Sequence, residues 1–195
     1  MRVFYLSHPQ IALDREVPVP RWGLNHTGRL RLEAALLSLW HQNVTRIVSS
    51  SENKAMETAA HFAEAKSLPL TAWSALHEND RSATGFLPPE EFEAMADAFF
   101  AHPDESIRGW EPARHAQTRT VHAVETALAG HAGHDEAGDI LICGHGGVGT
   151  LLMLSLTDAP ISRSADQPAG GGNAFAFDLK SRALEFGWTP LEELR

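Results

Sequence analysis

The chain opens on an apolar run, RVFYLS (2–7), too short for a helix and rich in residues that suit a pleated strand. The same kind of run returns in VTRIVSS (44–50), LPLTAWSAL (68–76) and ILICG (140–144). Between these runs the apolar period lengthens. From Thr27 the segment GRLRLEAALLSLWHQ has apolar residues at 30, 32, 36, 37, 39 and 40, which predicts a helix. NKAMETAAHFAEA predicts a second, with 55, 56, 59, 62 and 63 on one face. Pro88 and Pro89 ahead of Glu90 and Glu91 predict a helix start, with Phe92, Met95, Ala96 and Phe99 as its buried stripe. A further helix is predicted from Ala113 to Leu128, stopping at Gly130, and VGTLLMLSL forms one after ILICG. PAGGGN reads as a flexible turn before two strands, AFAFDL and ALEFGW, joined at KSR.

This alternation predicts an α/β fold: a three-layer α/β/α sandwich with a mostly parallel central sheet covered on both faces. Neither a repeat nor a linker interrupts the chain, so residues 1–195 are read as one domain. The irregular stretches 77–89 and 101–112 fall where such folds carry functional loops. Trp110, in the second, is placed either in a pocket wall or as a brace for the loop.

Charge narrows the function. A net charge of −9 argues against a general nucleic-acid or anionic-membrane binder, since both need a basic field. Any anion site must therefore be local. Cys143 is the only cysteine, so neither an internal disulfide nor a C-x-x-C zinc site is available. The first ten residues are too short an apolar run for a signal peptide, and a cytoplasmic setting is expected. His131, His134 and Asp135 sit in a polar turn and read as solvent-facing rather than as a metal set; neither metal nor cofactor is expected.

The segment GHGGVG carries the G-x-G-x-x-G spacing of a dinucleotide loop at Gly144, Gly146 and Gly149. The acidic residue that should follow about 20 positions later is missing: Asp158 comes too early and Asp178 too late. His145, inside the motif, is then the notable residue. It follows a strand, as His8 does in YLSHPQ. Ligands of open α/β sheets sit beyond the carboxyl ends of the strands, so two such histidines can face one crevice. Ser49, Ser50 and Ser51 close another strand, with Lys54 in the first helical turn after it, a local anion site. Glu78 follows the third strand. Two imidazoles, a carboxyl and a cation suit phosphoryl transfer: a nucleophile, a proton donor and stabilisers of the shifting charge.

These residues resemble the histidine phosphatase superfamily, the phosphoglycerate mutase-like family. Its R-H-G at the end of strand one corresponds to Ser7-His8-Pro9. Its S-S-x-x-x-R-A-x-x-T-A segment is matched by SSENKAMETA, with Lys54 at the arginine. Leu76-His77-Glu78 matches the segment carrying the acid, and His145-Gly146-Gly147 the second histidine. Leu24 to Gly28 and Asn173 echo two further features. The resemblance implies a metal-independent phosphatase forming a phosphohistidine on His8, with Glu78 as proton donor and His145 as stabiliser. Its substrate would be a small phosphorylated molecule or a phosphoprotein; a homodimer is compatible with it. Both motif arginines are replaced. Losing a charge-assisted contact costs about 1.5–3 kcal/mol, so Lys54 with Arg81, in the loop after Glu78, is expected to hold the phosphate. Ser82 would add a hydroxyl, Ser7 and Gly146 would border the site, and Arg21 is a second cation within reach. Two other readings stay open: a catalytically weak or inactive phosphate-ligand-binding or regulatory protein on the same fold, and a phosphoglycerate mutase-type phosphotransferase.

Overall fold

The computed structural model describes residues 1–129 and 138–195. Gly130, His131, His134 and Asp135 lie outside the described residues. Among the described residues six strands form one sheet: β1 (Arg2–Ser7), β2 (Val44–Ser50), β3 (Leu70–Trp73), β4 (Asp139–Gly144), β5 (Asn173–Asp178) and β6 (Leu184–Pro190), in the order β3-β2-β4-β1-β5-β6. The pairs β3–β2, β2–β4 and β4–β1 are parallel; β1–β5 and β5–β6 are antiparallel. The predicted α/β fold with a mostly parallel sheet is therefore the fold observed.

The α-helices among the described residues are α1 (His26–Ala35), α2 (Asn53–Lys66), α3 (Pro89–Ala101), α4 (Ala113–Ala129) and α5 (Gly146–Leu156). Alternation along β1 sorts the core. Phe4 and Leu6 join a cluster with Leu32 of α1 and Phe62 of α2. Val3 and Tyr5 join one on the opposite face with Val124 and Leu128 of α4 and Leu152 of α5. A third cluster packs Phe99 and Phe100 of α3 with Trp110, Ala116 of α4 and Leu151 of α5, which fixes α3 over one end of the sheet. Among the described residues, no helix is long and apolar enough to cross a membrane.

Two elements are shorter than their apolar patterns predict. α1 ends at Ala35, where successive backbone bonds tighten to three-residue steps (Leu37 N–H to Ala34, Ser38 N–H to Ala35) and the Ser38 hydroxyl also donates to the Ala35 carbonyl. Leu37 and Leu39 are left 87% and 67% exposed, while Trp40 turns into the core. β3 stops at Trp73, and Ser74–Leu76 is a single tight helical turn that buries Leu76. The PAGGGN turn, expected to be flexible, is pinned. Gly170, Gly171 and Gly172 take φ of +94°, +64° and +64°, a region glycine enters without strain. The Gly172 N–H donates to the His8 carbonyl, and Arg31 donates to the carbonyls of Gly171 and Gly172.

Candidate active site

The strand order lines up the predicted groups. Reading across β3, β2, β4 and β1, the segments beyond the carboxyl ends bring Glu78, then Ser50 and Lys54, then His145, then His8. The His8 and His145 rings lie edge to face with centroids 5.4 Å apart. The His8 backbone N–H donates to the Gly144 carbonyl at 3.0 Å, extending the β1–β4 ladder by one residue. The buried Tyr5 hydroxyl clamps His145, accepting from its backbone N–H and donating to its carbonyl.

His8 is half-buried, and its Nδ1 lies 2.9 Å from the Pro9 carbonyl. A carbonyl only accepts, so Nδ1 carries the proton and the lone pair is on Nε2. Burial, reinforced by the charge of Lys54, pushes the His8 pKa down to about 4. His145 is fully buried; burial pushes its pKa to about 3, against the pull of Glu52 and Glu78. Its Nε2 lies 2.9 Å from the Ser50 hydroxyl and 3.7 Å from Glu52 Oε1. Its Nδ1 is buried without a hydrogen-bond partner among the described residues.

Glu78 projects onto the N-terminus of α5. Its carboxylate accepts from the backbone N–H groups of Val148 (3.1 Å), Gly147 (3.3 Å) and Asn79 (3.1 Å), with Arg81 Nη2 at 3.4 Å. Burial raises its pKa, but Arg81 first and the surrounding donors outweigh that, so the carboxyl sits below its ordinary value. Four donors around one carboxylate favour the ionised form.

Three residues outside the sequence analysis organise this group. Glu52 is buried; one oxygen takes the Lys54 ammonium and the other the Glu78 backbone N–H at 3.0 Å. Burial works against its ionisation, yet His145, Lys54 and the Glu78 amide hold its pKa at about 2. Arg119 of α4 donates to the carbonyls of Ala75 and His77 at 2.8 and 2.9 Å, reaches the Glu78 carbonyl at 3.4 Å and pairs with Glu111 at 2.7 Å. Gln167 accepts from the Ser7 hydroxyl and from Asn173 Nδ2. The spacing of Glu52 from Lys54 carried no periodic signal, and the partners of Arg119 and Gln167 lie too far away in sequence for a local pattern to show them.

A cavity of about 580 Å³ opens in front of His8, bordered by Lys54, Glu78, Arg81, Gly146 and Gln167 among others. Lys54 reaches its wall but is tied to Glu52 and to the Val19 carbonyl (3.1 Å). Arg81 reaches it too, stacked 5.1 Å from the Phe92 centroid and 5.4 Å from that of Trp110. Trp110 fills both roles considered for it: it lines the cavity, and its indole N–H braces the loop through Thr84. Gly146 abuts the Gln167 amide so closely that a Cβ there would collide with it. Ser7, Ser82 and Arg21 differ from expectation. Ser7 is fully buried, its hydroxyl shared among Gln167, the Asn173 carbonyl and the Asn173 N–H, so it points into a structural knot. Ser82 is exposed, its backbone N–H donating to the Asp80 carboxylate, and Arg21 is exposed away from the cavity wall.

A ligand pocket beyond the carboxyl ends of a parallel sheet defines a familiar class of α/β protein. A model of the histidine phosphatase superfamily (branch 1) matches residues 14–176, and the chain belongs to that superfamily. The match includes Lys54, Glu78 and His145 and begins after His8. No curated protein matches the sequence. The fold is shared with solved structures, phosphatases among them. A mycobacterial glucosyl-3-phosphoglycerate phosphatase holding inorganic phosphate superposes with a TM-score of 0.80 at 21% identity, over 98% of each chain. Bacillus stearothermophilus YhfR gives 0.77 at 19%, over 98% of this chain and 99% of that one. A phosphoserine phosphatase from Entamoeba histolytica, in complex with phosphoserine, gives 0.76 at 14%, over 100% and 99%.

Proposed function

We propose that the protein is a metal-independent phosphomonoesterase that works through a phosphohistidine on His8. The observation that carries this reading is the His8 imidazole itself. It lines the cavity, its Nδ1–H is held by the Pro9 carbonyl, and its lone pair is on Nε2. In this reading Nε2 attacks phosphorus, the P–O bond to the alcohol breaks, and the leaving oxygen takes a proton from the Glu78 carboxyl. Water, giving its proton back to Glu78, then attacks the phosphohistidine, releasing inorganic phosphate and regenerating His8. In this reading His145, buried against the His8 ring and with Nδ1 lacking a partner among the described residues, takes a non-bridging oxygen. Lys54, Arg81 and the N-terminus of α5 supply the remaining positive potential.

Hydrolysis of a generic aryl phosphate tests this, in weakly acid to neutral buffers containing EDTA. Native protein should turn over, and His8→Ala should lose at least about a thousandfold in rate, the scale of removing an activated nucleophile. Activity that EDTA abolishes, or that His8→Ala keeps, contradicts the reading. An inert native protein that still binds vanadate would favour the binding-protein alternative, to which the engagement of Lys54 by Glu52 gives some support.

A further inference from the structure

The cavity in front of His8 has a charge balance and a wall that bear on what its ligand carries besides phosphate. Three cations border it, Lys54, Arg81 and Arg163, and so do three acids, Glu78, Glu93 and Asp166. Every one of those cations is already paired. Lys54 is held by Glu52 and Arg81 by Glu78. Arg163 is held by Glu93, by Asp97 at 2.5 Å and by Asp166 at 3.7 Å. Once one phosphoryl group has drawn on Lys54 and Arg81, no bordering cation among the described residues is left for a second anionic group. Glu93 and Asp166 would repel one.

Beyond these and the polar His8, Asn79 and Gln167, the bordering side chains are apolar. Ile11, Leu13, Val19 and Trp22 come from the loop after β1, Phe86 from the segment leading into α3, and Phe92 from the first turn of α3 itself. Trp22 and Phe86 meet with ring centroids 6.0 Å apart; the Arg15 guanidinium lies 4.9 Å from the Phe86 centroid but does not border the cavity. Leu13 is 64% exposed although it borders the cavity. An apolar wall leading away from a polar end recognises a ligand of matching build.

Resting on the phosphatase reading, we propose that the site selects monoesters whose alcohol is uncharged and carries an apolar, ring-sized group lying against the Trp22–Phe86 side. It discriminates against esters bearing a carboxylate or a second phosphate. Non-hydrolysable phosphonates separate this claim from catalysis. Quenching of tryptophan fluorescence should show phenylpropylphosphonate binding at least about tenfold more tightly than phosphonopropionate, since burying one ring is worth more than that factor. Phe86→Ala should remove most of the difference. Leu13→Lys, at an exposed position that folding does not depend on, should narrow it by favouring phosphonopropionate. Equal affinities, tighter phosphonopropionate, or no binding of either overturns the proposal. Hydrolysis of phenethyl phosphate against glycerol phosphate and phosphoglycerate, all alkyl esters, tells the two failures apart. If phosphoglycerate is turned over best, selection for the apolar group fails and the phosphatase stands. If no ester is turned over while the phosphonate preference holds, the phosphatase reading fails and the ligand class stands.

Discussion

At the scale of single residues, the chemistry rests on where protons sit in the free protein. His8 and His145 are both neutral near pH 7, with pKa values held at about 4 and about 3. Glu78 is ionised there, because Arg81 and the amides around it hold its pKa down. The leaving alcohol still needs a proton. That proton therefore enters with the ester, bound as its monoanion, and passes to Glu78 in the complex. A phosphoester loses its second proton near pH 6, so kcat/KM should fall as pH rises beyond about 6. The midpoint should track the ester when a more acidic aryl phosphate replaces an alkyl one; a midpoint fixed whatever the ester would assign the proton to the protein. Glu78→Gln should cost an alkyl ester about a hundredfold or more in kcat and an aryl phosphate, whose leaving group needs less help, clearly less.

At the scale of elements, the segment between β3 and α3 depends on one side chain from α4. Arg119 gathers the carbonyls of Ala75, His77 and Glu78 and is itself anchored on Glu111, whose backbone N–H in turn donates to the Asp80 carbonyl. Arg119→Ala would leave those carbonyls without their side-chain donor and Glu111 with only the Asp80 N–H, and should destabilise the fold by about 2–4 kcal/mol, read by urea denaturation. Arg119→Lys should recover only part of this, since an ammonium cannot span the same fork of acceptors. Such links explain what the sequence left unread. Strand and helix periods placed β1, β2, β4, α2 and α4 closely, because their burial is one-sided and repeats locally. α1 was overextended because Leu37 and Leu39 are apolar yet exposed. His8, Glu78 and His145 were legible because each follows a strand of the parallel part of the sheet, whose carboxyl ends face one way. Ser7 was not: its role is fixed by Asn173 and Gln167, more than 150 residues away, and a chain-local pattern carries no trace of them.

At the scale of the whole molecule, the buried histidines tie stability to pH. The ordinary imidazole pKa is 6.5, and both groups lie well below it when folded. The unfolded chain therefore takes up protons first as pH falls below about 6.5. The stability these two residues contribute is complete above that pH and is lost as pH falls toward about 4 for His8 and about 3 for His145. Glu52 acts in the same direction: its contribution is full above 4.5 and is lost as pH falls toward about 2. Tm should thus hold near neutrality and decline on acidification from about pH 6.5, and His145→Asn should flatten that decline. The central claim remains covalent: His8 carries the phosphoryl group. Mass spectrometry of native protein quenched in alkali during turnover of an aryl phosphate tests it most directly. The account predicts a single phosphoryl group on the peptide containing His8, stable to alkali, discharged by mild acid, and absent from His8→Ala. A label on another residue, or steady turnover with no label on His8, would contradict it.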